Sequence, residues 1–194
     1  MSDPWLRIQE DHTNTLRLLN LMDHQVGLLA EGGRPDWDVI QGVIDYFLTY
    51  PDLRHHPLED RILERMEARS PTEAAAFRRL PSEHQSLARK LRQLAAATHA
   101  LLQDELTEKS AYIAQVRDFI STQHNHMQRE EAEFLPAARR LLDAADWQAL
   151  AETASPLADP LRDPADRRFQ NLRFQLMKWD AEDRRAARPA PHQS

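Results

Sequence analysis

Two short stretches constrain this chain more than any other: RHHPLED at 54–60 and HNHMQREE at 124–131. Each sets a histidine four residues ahead of a carboxylate, His55 before Glu59 and His126 before Glu130. On an α-helix, residues four apart stand one above the other, about 5–6 Å apart at Cβ. The spacing joins each pair only if both stretches are helical, and the apolar pattern around them says that they are. Counting back from His55 by four, seven, eight and eleven gives Pro51, Leu48, Phe47 and Ile44; counting forward by three, seven and eleven gives Leu58, Ile62 and Met66. That is one face of a helix pointing into a core. Phe119, seven before His126, and Phe134, four after Glu130, do the same for the second pair. Counting back from His56 meets Asp52, Thr49 and Asp45 instead, so His56 and Asp60 are expected to face water or to act from outside an inward cluster. Glu131 and Glu133 point elsewhere and are expected to be solvated, and His124 reads as a surface or supporting residue.

The same period runs through the rest of the chain, punctuated by prolines and polar clusters. A first helix is expected from Pro4 to Leu29, with Ile8, His12, Leu16, Leu19 and Met22 or Asp23 on one face. Asp36 caps a second segment running to about Met66, kinked or briefly broken at Pro51 and Pro57. Ser70 and Pro71 restart a third segment over 72–106, interrupted near Pro81, with Ser82 capping a half that carries His84, Leu87, Leu91, Leu94 and Leu102. The fourth, from Ser110 to Leu142, turns Tyr112, Val116, Phe119, Met127 and Phe134 inward. DAADWQALAE reads as a short extra helix, Pro156, Pro160 and Pro164 as a linker or strap, and Ala165–Arg185 as an amphipathic helix with Phe169, Leu172, Leu176 and Trp179 on one side. The tail AARPAPHQS is expected to be disordered. Only 4 glycines in 194 residues fit this helical reading. The fold class is all-α: an antiparallel up-down four-helix bundle over 1–153, followed by a linker, an additional C-terminal helix and the tail over 154–194.

Bulk properties exclude other classes. A net charge of −6 disfavours nucleic-acid binding, which needs a basic face. The chain has no cysteine, which removes disulfides, thiolate metal sites and a cysteine nucleophile. The N-terminus shows no basic region followed by an apolar run, and no stretch of about 18 apolar residues could span a membrane. A cytoplasmic protein is the expectation.

Each main helix thus sends a histidine inward (His12, His55, His84 and His126), and two add the carboxylates Glu59 and Glu130. His24, His99 and His192 have no comparable context and read as structural or solvent-exposed. Six polar groups in an apolar bundle are costly unless something satisfies them. A pair of cations does so: the two carboxylates bridge and the four imidazoles cap from outside. With no thiolate available, the donors suit iron, manganese or zinc.

The ordered set, His12 in EDHTNTLRLL, His55 and Glu59 in YPDLRHHPLED, His84 in SEHQSLARKL, and His126 and Glu130 in HMQREEAEFLP, resembles the hemerythrin-like, or HHE cation-binding, family in its bacterial form, over about residues 5–150. The resemblance implies an oxo- or hydroxo-bridged di-iron centre that meets O2 or related small oxidants (NO, peroxide), with His12 and His55 on one iron, His84 and His126 on the other, and Glu59 and Glu130 bridging. Zinc or manganese would be substitutes. Oxygen-carrying members have a second histidine one turn along the third helix, where this chain has Leu80 and Ala88. That departure implies one nitrogen ligand fewer and an extra open position, favouring reactivity or sensing over reversible carriage. Alternatives are a di-iron peroxidase or oxidase, with Tyr50 and Tyr112 as redox neighbours or plain packing residues, and a metal-free helical interaction module. The C-terminal helix is expected either to cover its own bundle or to form a homodimer.

Overall fold

The computed structural model describes residues 3–103, 108–154, 159–163 and 166–186, with no side-chain description beyond residue 181. Of the predicted disordered tail, Ala186 instead ends a helix; the rest of it, with His192, and Pro156 and Pro164 lie outside the described residues.

Helix α1 spans Pro4–Ala30, with Asp3 accepting from Trp5 N–H and Pro4 in the first turn. It stops where Gly32 adopts φ 79°, a left-handed conformation that favours glycine, and Gly33 N–H closes the end on Leu28 O at 2.8 Å. Helix α2, Trp37–Tyr50, starts on the side chain of Asp36, which accepts from Asp38 and Val39 N–H as expected. A π-helical turn, Pro51–His55, leads directly into α3, His56–Arg69. A short helix α4, Pro71–Ala74, and a 3-10 turn, Ala75–Phe77, precede α5, Leu80–Leu102. The third segment therefore breaks before Pro81, which sits in the first turn of α5 where its missing N–H costs nothing. The predicted caps Ser70 and Ser82 do not act: the Ser70 side chain makes no cap bond, and Ser82 Oγ donates to Arg79 O. Helix α6, Lys109–Arg129, passes through a second π turn, Glu130–Phe134, into α7, Leu135–Leu141. Helix α8, Ala144–Thr153, opens with a reciprocal cap between Asp143 and Asp146. A 3-10 turn, Arg167–Phe169, leads into α9, Gln170–Ala186.

The two π turns have one cause. Pro57 and Pro136 each lie six residues after the first residue of a π turn. The residue before each proline donates one step further back than in an α-helix, His56 N–H to Pro51 O and Leu135 N–H to Glu130 O. Proline cannot donate and its ring crowds the carbonyl of the preceding turn, so the wider turn accommodates it within a continuous helix. Both turns fall on the His-carboxylate pairs.

Four helical rods, α1, α2–α3, α5 and α6–α7, form an all-α up-down bundle. α1 packs on α2 and α6, and α5 packs on the same two. Helix α9 lies across α2 and α1, burying Phe169, Leu172 and Leu176; Phe174 and Met177 face outward. Leu16 and Leu102, expected inside, are exposed, since Leu18 and Leu19 fill the α1 core side instead. Two apolar clusters result. One gathers Leu18, Met22, Phe47, Tyr50, Leu91, Leu94 and Phe119 with α9; the other gathers Ile8, Leu58, Ile62, Leu80 and Phe134. On every rod the polar inward residues fall between the two. Among the described residues no helix is long and apolar enough to cross a membrane.

Candidate metal centre

The layer between the apolar clusters holds His12, His55, Glu59, His84, His126 and Glu130, all buried, with Glu59 fully enclosed. Each carboxylate divides its two oxygens between two histidine pairs. Glu59 Oε1 lies 3.7 Å from His12 Nε2 and 3.4 Å from His55 Nε2, while its Oε2 lies 3.4 Å from His84 Nε2. Glu130 Oε2 lies 3.5 Å from His12 Nε2, while its Oε1 lies 3.5 Å from His84 Nε2 and 2.9 Å from His126 Nε2. Two overlapping four-donor groups follow: His12, His55, Glu59 and Glu130, and His84, His126, Glu59 and Glu130. Within each, the donor atoms lie within 4.8 Å of one another.

The outer edge of each ring meets an acid. His12 Nδ1 is 3.1 Å from Glu131 Oε1, and His55 Nδ1 is 3.3 Å from Asp11 Oδ2. His84 Nδ1 is 3.3 Å from Asp60 Oδ1, and His126 Nδ1 is 3.4 Å from Glu83 Oε2. For His12, His55 and His126, a proton on Nδ1 directed at a carboxylate leaves the Nε2 lone pair pointing inward, the arrangement that metal-ligating histidines use; His84 Nδ1 faces Asp60 Oδ1 without hydrogen-bond geometry. Tyr50 Oη extends one of these chains by donating to Asp11 Oδ1 at 2.9 Å.

Charge follows geometry. Burial alone would depress the His12 imidazole, but Glu130 and Glu59 outweigh it and push it up to about 10. His84 is likewise depressed by burial and then raised to about 11 by Asp60, Glu130 and Glu59. Burial opposes ionisation of Glu59 and Glu130, yet the facing histidines hold both well below the usual carboxylate range. The fit to cations rests on orphaned atoms. His12 Nε2, His84 Nε2, His126 Nε2 and all four oxygens of Glu59 and Glu130 are buried without a hydrogen-bond partner. Imidazoles, once deprotonated, and carboxylates aimed at shared points are the donor set that divalent metals take when thiolates are absent.

The structure thus brings together all six residues singled out from the spacing. It also departs from the sequence reading. His56 is buried, not outward: its ring stacks on His84 with centroids 4.0 Å apart, and its Nδ1 lies 3.1 Å from Asp52 Oδ1. The π turn just before it breaks the phase on which the count from His56 back to Asp45 relies. Glu131, expected to be merely solvated, is exposed but supports His12. Asp11, Asp52 and Glu83 were missed. Asp11 stands three residues after Ile8 and seven before Leu18, a helical phase that would have found it. Asp60 supports His84 from outside the donor set, one of the two places expected for it. His124 is half-buried, and His24 and His99 are exposed, with the His24 ring against Trp179.

No curated protein and no solved structure matches the chain. A family model does: that of the hemerythrin HHE cation binding domain matches residues 4–138, the segment that holds every residue of the cluster. The chain belongs to the hemerythrin HHE cation-binding domain family.

Proposed function

We propose that the cluster holds two iron ions and that the protein binds, senses or handles O2, a related small oxidant such as NO or peroxide, or iron itself. The observation that supports this best is the split of each carboxylate. Glu59 and Glu130 both present one oxygen to the His12/His55 pair and the other to the His84/His126 side. A single ion would leave half of these donors unused, whereas two ions use them all. Two iron ions at such a site would supply one electron each and open positions to a small oxidant.

The chain's own residues do the rest. The four imidazoles and two carboxylates would hold both ions, and the acids behind the rings set which nitrogen faces inward. The flanking apolar clusters keep bulk water from the layer. A cavity of about 190 Å3 reaches Glu130 from outside, bordered by Phe77, Leu80, Phe134, Arg79 and Arg129. It has room for a small oxidant or for water. Leu80, one of the two apolar residues one turn from His84, lies on that cavity wall. The six donors would also accept zinc or manganese; iron is the choice that the resemblance to the family favours.

Anaerobic reconstitution with Fe(II), followed by metal quantification and exposure to O2, tests the reading. Two irons per chain and new near-ultraviolet charge-transfer absorption are expected. A protein that stays colourless and metal-free would reject it.

A further inference from the structure

We propose that His56 is a further metal ligand, giving a fifth protein donor to the ion held by His84 and His126 on the two-ion reading above. His56 shares the arrangement of His12, His55 and His126. Its Nδ1 lies 3.1 Å from Asp52 Oδ1, so the Nε2 lone pair is left for another partner. That Nε2 is buried and has no hydrogen-bond partner. The ring is held beside His84 by a near-parallel stack, 4.0 Å between centroids at 9°, and lies 6.3 Å from the His126 ring. One nitrogen from each of His56, His84 and His126 falls within 4.8 Å of the other two. Nitrogens bound to one ion at about 2.1 Å stand roughly 3 Å apart when adjacent and roughly 4.2 Å when opposite, so the three reach one ion by closing in by no more than about 2 Å.

The local fold explains why this residue is available. In the family's oxygen-carrying members a second histidine stands one turn from the position of His84; here the places one turn away are Leu80 and Ala88, both apolar and buried. The π turn Pro51–His55 makes up the loss from a different helix. It adds a residue to the turn, so both His55 and His56 reach the interior. The two rings then serve different ions: His55 Nε2 is 3.4 Å from Glu59 Oε1, on the His12 side, while His56 stacks on His84. On this account the open position implied by Leu80 and Ala88 is refilled by nitrogen.

The test uses Zn(II) as probe, on the full chain, with and without added imidazole. Wild type is expected to hold two ions. His56→Gly is expected to hold one tightly and the second at least roughly 100-fold more weakly, beyond the 10- to 100-fold typical of losing a supporting partner. Free imidazole, entering by the groove of about 470 Å3 that Asp52, His56, Asp60 and His84 border, should restore the second ion. His56→Phe keeps a stacking ring but no nitrogen; it should lose the second ion and gain nothing from imidazole. Two tightly held ions in His56→Gly would overturn the proposal, and so would a loss that imidazole leaves unrepaired. Should the variants fail to fold, the His56 Nε2–ion distance in Zn(II)-loaded wild-type crystals decides: about 2.1 Å supports it and more than 3 Å ends it. If wild type binds no ion, the two-ion reading itself fails; if wild type binds two and the His56 variants match it, only the present inference falls.

Discussion

Loading the cluster with metal must expel protons, and the structure says from where. In the metal-free protein the His12 ring is raised to about 10 and the His84 ring to about 11, both by the carboxylates they face. At pH 7 each therefore carries a proton, and each must lose it before its nitrogen can bind an ion. Removing the proton from His12 at pH 7 spans about three powers of ten, or ~4 kcal/mol, and from His84 about four, or ~5 kcal/mol. The ions must supply this within their binding free energy. The joint binding constant should then rise about 100-fold per pH unit around neutrality, tenfold for each of two protons. Titration calorimetry with Zn(II), repeated at pH 7 in buffers of different ionisation enthalpy, counts protons directly. Two or more released per loaded chain are expected, with tighter binding from pH 6 to 9. Release of less than one proton while two ions bind, or affinity independent of pH over that range, would refute the account of the cluster's charge.

Further outcomes follow from the same geometry. Metal-free protein should be most stable near pH 6–7 in urea midpoints. The raised pKa values of His12 and His84 stabilise the fold fully below about 6.5, and that stability is lost as pH climbs through about 10 and 11. His56, depressed to about 4 by burial, acts on the other side: its contribution holds above about 6.5 and is lost as pH falls through about 4, and the depressed carboxylates Glu59 and Glu130 act in the same direction. A midpoint that rises steadily from pH 7 to 10 would contradict this. Glu130→Ala removes a donor from both four-donor groups and should lower metal content at both positions by quantification, not at one alone; any peroxide consumption by iron-loaded protein should vanish with it. Leu172→Ala, in a side chain 2% exposed between α9 and the bundle, should cost ~2–5 kcal/mol in denaturant unfolding. A loss below 0.5 kcal/mol would mean that α9 does not cover its own bundle in solution.

Much of this was legible in the sequence where a helix runs unbroken. His12, His84 and His126 each sit on an apolar stripe of their own helix, and counting by three and four put them inside, where the structure has them. Tyr112, Val116, Phe119 and Phe134 followed from the same period. The reading failed where the period changes. Counting back from His56 to Asp52, Thr49 and Asp45 treats 45–56 as one regular helix, but the π turn adds a residue and turns His56 inward. The proline was visible; the kind of break it causes was not, because a kink, a gap and a widened turn all satisfy a missing N–H. Leu16 failed for a different reason: α1 faces partners on two sides, and the side taken by Leu18 and Leu19 wins. The acids behind the histidines belong to tertiary structure. Glu83 supports His126 from another helix, 43 residues away in sequence, and Glu131 reaches His12 across 119. No spacing rule reports such pairs, whereas Asp52 to His56, four apart on one helix, was within reach.

The central claim is that Glu59 and Glu130 lie between two cations, each also held by a pair of histidines. Anomalous scattering from crystals of Fe(II)-loaded protein measures this most directly. The account predicts two peaks roughly 3.5–4 Å apart, one beside His12 and His55 and one beside His84 and His126, with both carboxylates between them. A single peak, or iron found only outside this layer, would contradict it.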